Sequence, residues 1–153
     1  MKIRILTVGR PPAGPVRDAI VEYERRAARY WPLEITEVKA ESARARASDE
    51  VRRIEGARLL DRMSGVAVIL DERGRTMTSE VFAKWVADQR DRAQDVTFVI
   101  GGAYGLDEAV RSRATLLLAI APWTLPHDLT RLVLAEQLYR AGTIVRGEPY
   151  HKA

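Results

Sequence analysis

The sequence predicts one α/β domain, a mostly parallel sheet with helices on both faces. Three observations predict it. Short, almost wholly apolar runs such as Val66-Ala67-Val68-Ile69-Leu70 and Val96-Thr97-Phe98-Val99-Ile100 suit strands buried on both sides. Longer amphipathic stretches separate them, as crossover helices do. No linker, repeat or low-complexity tract divides the 153 residues, so 1–153 is expected to be a single domain.

Each element has its own signal. Ile3 to Val8 reads as the first strand. A helix is expected from Pro15, a good first helical residue, with Val16, Ala19, Ile20, Tyr23, Ala27 and Tyr30 at helical spacing and Pro32 as its stop. Leu33 to Val38 is the second strand. Lys39 to Ala47 lacks an apolar face and reads as a basic, mobile loop. Ser48 is the expected N-cap of a helix with Asp49 and Glu50 in its first turn and Val51, Ile54, Leu59, Leu60 and Met63 as apolar positions. Val66 to Leu70 is a strand ending at Asp71. Ser79 is expected to cap a helix carrying Val81, Phe82, Trp85 and Val86. Val96 to Ile100 and Leu116 to Ile120 are strands. The last helix is expected to start after Asp128 and stop near Gly142.

Composition narrows the chemistry. There is no cysteine, which removes thiol catalysis, disulfides and thiolate metal sites and fits a reducing cytoplasm. With only His127 and His151, a histidine-rich metal site is not expected either. No apolar h-region follows Met1, and no run is long enough to span a bilayer. Lys and Arg total 25 against 21 Asp and Glu, a net +4 compatible with a polyanionic partner.

The most informative segment is the turn Gly101-Gly102-Ala103-Tyr104-Gly105, placed directly after a strand. In open α/β sheets ligands sit beyond the carboxyl ends of strands, which nominates Leu70-Asp71, Gly101-Gly102 and the loop after Ile120. A dinucleotide pyrophosphate fails as the ligand. The spacing is Gly-Gly-x-x-Gly rather than Gly-x-Gly-x-x-Gly, and Asp107-Glu108 would repel an anion at the next helix start. No carboxylate for a ribose lies roughly 20 residues on. A neutral or cationic adenosine derivative suits the turn better. The loop Ala121-Pro122-Trp123-Thr124-Leu125-Pro126-His127 is stiffened by its prolines and has carbonyls free to read an adenine edge.

These segments resemble one family. Val99 to Leu106, the Thr124-Leu125-Pro126-His127 loop, Leu134 to Arg140 and the terminal Pro149-Tyr150-His151-Lys152 are similar to the signature of the RlmH group of SPOUT methyltransferases. The resemblance runs along the whole chain, including Val8-Gly9 and Leu70-Asp71. It implies a trefoil knot in the C-terminal half, a homodimer, and S-adenosylmethionine as methyl donor. The implied reaction is methylation at N3 of a pseudouridine in the helix-69 hairpin of large-subunit (23S) ribosomal RNA on the assembled ribosome. Donor contacts are implied at Leu70, Gly101, Ile120, Ala121, Pro122, Trp123, Thr124 and Leu125. The segment Ala121-Pro122-Trp123 departs from the small hydroxyl residue that relatives tend to carry there. Main-chain contacts survive that change, but side-chain hydroxyl contacts do not.

Methyl transfer to nitrogen is an in-line displacement in which the acceptor must lose its proton. With the resemblance in hand, the expected catalytic or orienting residues are Arg131, Tyr150 and His151. His151 would take the proton, Tyr150 would stack on or bond the base, and Arg131 would hold phosphate or the developing anion. The acid-free stretch from Ala109 to His127 fits a site that does not over-stabilise a sulfonium. A bulky side chain at Gly101 is expected to block the donor without unfolding the sheet. Arg10, Arg17, Arg44 and Arg46 are candidate RNA contacts. Two other readings compete: a nucleotide-binding oxidoreductase, and a non-catalytic RNA-binding or ribosome-associated protein.

Overall fold

The fold is described from a computed structural model covering residues 1–44 and 47–152. Arg46, one of the expected RNA contacts, lies outside the described residues. Five strands, β1 (Ile3–Val8), β2 (Leu33–Val38), β3 (Val66–Arg75), β4 (Val96–Ile100) and β5 (Leu116–Leu118), form one parallel sheet in the order β2-β1-β4-β3-β5. The helices are α1 (Pro15–Ala27), α2 (Ser48–Leu60), α3 (Ser79–Asp91), α4 (Glu108–Arg111) and α5 (His127–Arg146), followed by a 3-10 turn over Pro149–His151.

Alternation along the strands divides the core in two. Ile3, Ile5, Val68, Leu70, Phe98 and Ile100 face α1, α3 and α5. Leu6, Val8, Ala67, Ile69 and Val99 face α2 and α4. All five residues of β4 are buried, as the centre of a doubly covered sheet requires.

Several boundaries differ from expectation, each for a local reason. β3 continues past Asp71 to Arg75, because Arg75 returns to the ladder: Leu70 and Arg75 both register with Leu118. Residues Asp71 to Gly74 therefore bulge from the sheet. β5 is shorter than expected, three residues, and ends at Leu118. Thr78 rather than Ser79 caps α3, its hydroxyl accepting from Val81 N at 3.2 Å. Ser79 is inside the helix and donates to Gln137 Oε1 at 2.8 Å. Ser48 is likewise the first residue of α2, after an N-cap at Ala47.

α5 begins at His127 and runs through Gly142 to Arg146, where Gly147 in the left-handed region ends it. Gly142 is there for packing. A Cβ at this position would lie 2.3 Å from Cγ of Tyr30, so only glycine lets α5 come this close to the end of α1. The seat is completed by Trp31 Nε1, which donates to the Leu138 carbonyl at 2.8 Å.

Alanine at position 142 is expected to destabilise the fold. Its helix propensity gains about 1 kcal/mol over glycine, but forcing a methyl into the Tyr30 ring costs about 1–3 kcal/mol. The urea midpoint of Gly142→Ala should fall at unchanged m-value, and a rise would show that the contact with Tyr30 does not limit packing.

Candidate functional site

The carboxyl ends of β3, β4 and β5 open into a cavity of about 800 Å³. Leu70 and the bulge from Asp71 to Arg73 make one wall. The turn from Gly101 to Leu106 makes the second, and the loop from Ile120 to His127 the third. Leu70, Gly101, Ile120, Ala121, Trp123, Thr124 and Leu125 all line it; Pro122 does not.

The glycine turn is closed on itself. Gly102 and Gly105 pair, with Gly105 N donating to the Gly102 carbonyl at 3.0 Å, and Gly105 has φ 83°, a conformation that favours glycine. A Cβ on Gly101 would sit 2.8 Å from Leu106 Cγ and 3.1 Å from the Gly105 carbonyl carbon. A bulky residue at Gly101 therefore distorts the turn before it meets any ligand, which corrects the expectation of a clean block. α4 spans only four residues and starts behind Asp107, so the helix after the glycine turn does not offer a terminus that would hold a pyrophosphate.

The cavity is not free of acids, because β3 supplies two that the sequence separates from the 109–127 stretch. Asp71 accepts from Arg111 Nε at 2.6 Å, Arg73 Nε at 3.1 Å and Arg73 N at 2.9 Å. Burial raises its pKa, but these hydrogen bonds outweigh burial and hold the carboxyl well below the usual carboxylate range. Glu72 accepts the Thr124 hydroxyl, joining the β3 bulge to the third wall. Arg52 of α2 donates to the Tyr104 carbonyl at 3.2 Å and anchors the glycine turn. Of these groups Asp71 had a sequence signal in its place at a strand end, and Thr124 and Tyr104 in the two loops singled out above. Arg111 and Arg52 reach the cavity through the fold alone.

The expected catalytic residues stand elsewhere in the chain. Arg131 is buried, with Nε 2.7 Å from Glu24 Oε1, Nη2 3.3 Å from Glu24 Oε2 and Nη1 2.8 Å from Glu37 Oε2. The Tyr150 hydroxyl donates to Glu136 Oε1 at 3.1 Å, and its ring packs 4.4 Å from that of Tyr139. Burial first, then hydrogen bonding with Tyr23, pushes its pKa up, so the phenol keeps its proton. His151 Nδ1 is buried without a hydrogen-bond partner. None of the three lines the cavity. His127, at the head of α5, does line it, with Nε2 3.3 Å from Asp128 Oδ1. No cluster among the described residues has the composition of a metal site, and no helix among them is long and apolar enough to cross a membrane.

A family model described as predicted SPOUT methyltransferase matches residues 1–151. The chain belongs to the SPOUT methyltransferases. Within that family it is 54% identical, over 99% of its length and 100% of the relative's, to ribosomal RNA large subunit methyltransferase H of Gemmatimonas aurantiaca. It is 46% identical to the protein of that name from Rhodospirillum centenum over the whole of both chains. A solved structure of a probable methylase family protein from Haemophilus influenzae shares the fold, with TM-score 0.58, 13% identity, and coverage of 97% of this chain and 69% of that one.

S-adenosylmethionine is the methyl donor of this family, and the cavity suits it. Leu70, Ile100, Ile120 and Leu125 supply apolar surface for an adenine ring. Among the described residues, no backbone–backbone hydrogen bond is made by the peptide groups of residues 120–125. Buried or semi-buried peptide groups seek partners, so this loop has amides and carbonyls to give a ligand. Both readings that competed with a methyltransferase, oxidoreductase and non-catalytic protein, are overturned by the family match.

The Asp71–Arg111 pair yields a pH prediction. A carboxyl whose pKa is depressed on folding stabilises the protein above its unfolded value, near 4, and loses that contribution as pH falls through the lower folded value. Arg111→Ala should therefore cost about 1–3 kcal/mol, with the same deficit at pH 5 and pH 8 and a shrinking one below pH 4. Urea unfolding of both proteins across that range checks it; a deficit that grows on acidification would exclude the pair as its source.

Proposed function

We propose that this protein methylates large-subunit ribosomal RNA at N3 of a pseudouridine in the helix-69 hairpin, acting as a cytoplasmic homodimer on the assembled ribosome. The observation that carries this reading is full-length similarity, at 54% identity, to a protein named for large-subunit ribosomal RNA methylation. The cavity at the strand ends supports it, because the residues expected at the donor, Pro122 excepted, converge there. The reading includes the trefoil threading of the C-terminal half that the family resemblance implies.

When bound, S-adenosylmethionine presents an electrophilic methyl group on a sulfonium. Leu70, Gly101 and the 120–125 loop hold the donor, chiefly through main-chain groups. That makes the loss of a side-chain hydroxyl at Ala121-Pro122 tolerable. His151 takes the N3 proton of the acceptor base, and Tyr150, which keeps its own proton, donates a hydrogen bond to the base. Tyr150 and His151 lie in the 3-10 turn after α5 and not at their own cavity, so they serve the cavity of the second protomer. Arg131 is a positioning residue in this reading: its guanidinium is committed to Glu24 and Glu37.

Large-subunit RNA from cells lacking the protein should lose one methyl-pseudouridine by mass mapping; its retention would refute the substrate. His151→Ala should lower the single-turnover rate by about 10²- to 10⁴-fold with donor affinity intact. Mixing it with protomers that carry Leu125→Arg, and so lack donor binding, should recover activity in mixed dimers. No recovery would place His151 at its own protomer's site.

A further inference from the structure

Two large aromatic side chains stand exposed at the mouth of the donor cavity, one on each of two walls. Trp123, from the loop before α5, is 77% exposed, and Tyr104, from the glycine turn, is 44% exposed. They are the only aromatics among the exposed large hydrophobic residues of the described chain. Leaving an indole in water forgoes the stabilisation that its burial would bring. Exposed aromatics at a cavity rim are characteristic of recognition surfaces.

Their backbones are fixed while their rings are free. Arg52 holds the Tyr104 carbonyl at 3.2 Å. Thr124, the neighbour of Trp123, is bonded to Glu72, and Pro122 and Pro126 stiffen the same loop. Rigid anchors with unpartnered rings keep the entropy cost of stacking low. We propose that Trp123 and Tyr104 form a clamp that receives the extruded pyrimidine base of the RNA substrate and presents it to the donor cavity. This rests on the ribosomal RNA reading above.

Charge on the same end of the sheet favours RNA over a second copy of this chain as the occupant. β1 and β2 end side by side, Val8 opposite Val38, and β1 lies beside β4, Thr7 opposite Ile100. Arg10 and Lys39 follow those ends, are exposed, and have no carboxylate partner among the described residues. A phosphate backbone crossing this end meets both cations. A second copy docked face to face would bring like charges together on a chain already at +4.

A five-nucleotide RNA containing pseudouridine, titrated in the presence of S-adenosylmethionine, should quench the emission of exposed Trp123. The quenching should be absent in Trp123→Phe. With ribosomes as substrate, Trp123→Ala and Tyr104→Ala should each lower kcat/KM by roughly tenfold to a hundredfold, through KM. Trp123→Phe should restore most of it, Tyr104→Ala should keep the wild-type donor affinity by calorimetry, and dimer mass by ultracentrifugation should stay unchanged in all three variants. The clamp is overturned if the oligonucleotide causes no quenching, if both alanine variants keep the wild-type KM, or if Trp123→Ala dissociates the dimer. Quenching without any methyl transfer by the wild type would instead refute the ribosomal RNA reading and leave the clamp standing.

Discussion

The seat of α5 against α1 is the constraint on which the site depends. Arg131 reaches from α5 to Glu24 on α1 and Glu37 on β2, Trp31 caps the Leu138 carbonyl, and Gly142 admits the Tyr30 ring. The third wall of the cavity is the loop that leads into this helix, so its position follows from the seat. A buried ion cluster of this type is weak as a source of net stability, because desolvation offsets the attraction. Its value is in excluding other placements: a shift of α5 by one turn would leave the Arg131 guanidinium and the Glu24 carboxylate unpaired in the interior.

The cavity joins elements that are far apart in the chain through a few polar bonds. Glu72 and Thr124 link the β3 bulge to the α5 loop, Arg111 and Asp71 link it to α4, and Arg52 links the glycine turn to α2. Among the described residues, only Glu72 remains as a carboxylate without an arginine partner at the wall, since Asp71 is neutralised by two. Under the proposed function, the site limits its stabilisation of a sulfonium by pairing one acid inside the protein, and not by lacking acids as the 109–127 stretch suggested.

The parts of this structure legible in the sequence are those set by local pattern. β1, β2 and β4 fall where their apolar runs placed them, and α1 starts at Pro15. The rule that ligands sit at strand ends brought Leu70, Gly101 and most of the 120–125 loop to one cavity. What failed was set by distant partners. Arg75 rejoins the sheet only because Leu118 is there to pair with it, and nothing in Asp71-Glu72-Arg73-Gly74-Arg75 announces a strand. Gly142 has the look of a helix stop until Tyr30 is known to lie against it. Thr78 and Ser79 are equivalent caps on paper, and Gln137, 58 residues on, takes the serine hydroxyl.

The bulge in β3 has a consequence for how such a site can change over time. Its two ends, Leu70 and Arg75, are fixed to the same residue of β5. Asp71, Glu72 and Arg73 can be exchanged without shifting the register of the sheet, whereas Gly74 cannot, because a Cβ there would lie 2.6 Å from the Leu117 carbonyl. One wall of the cavity is thus tied to the other two through side-chain bonds, Glu72–Thr124 and Asp71–Arg111, and not through the sheet, and the pocket can be reshaped in a lineage while the fold beneath it stays under its own, stricter selection.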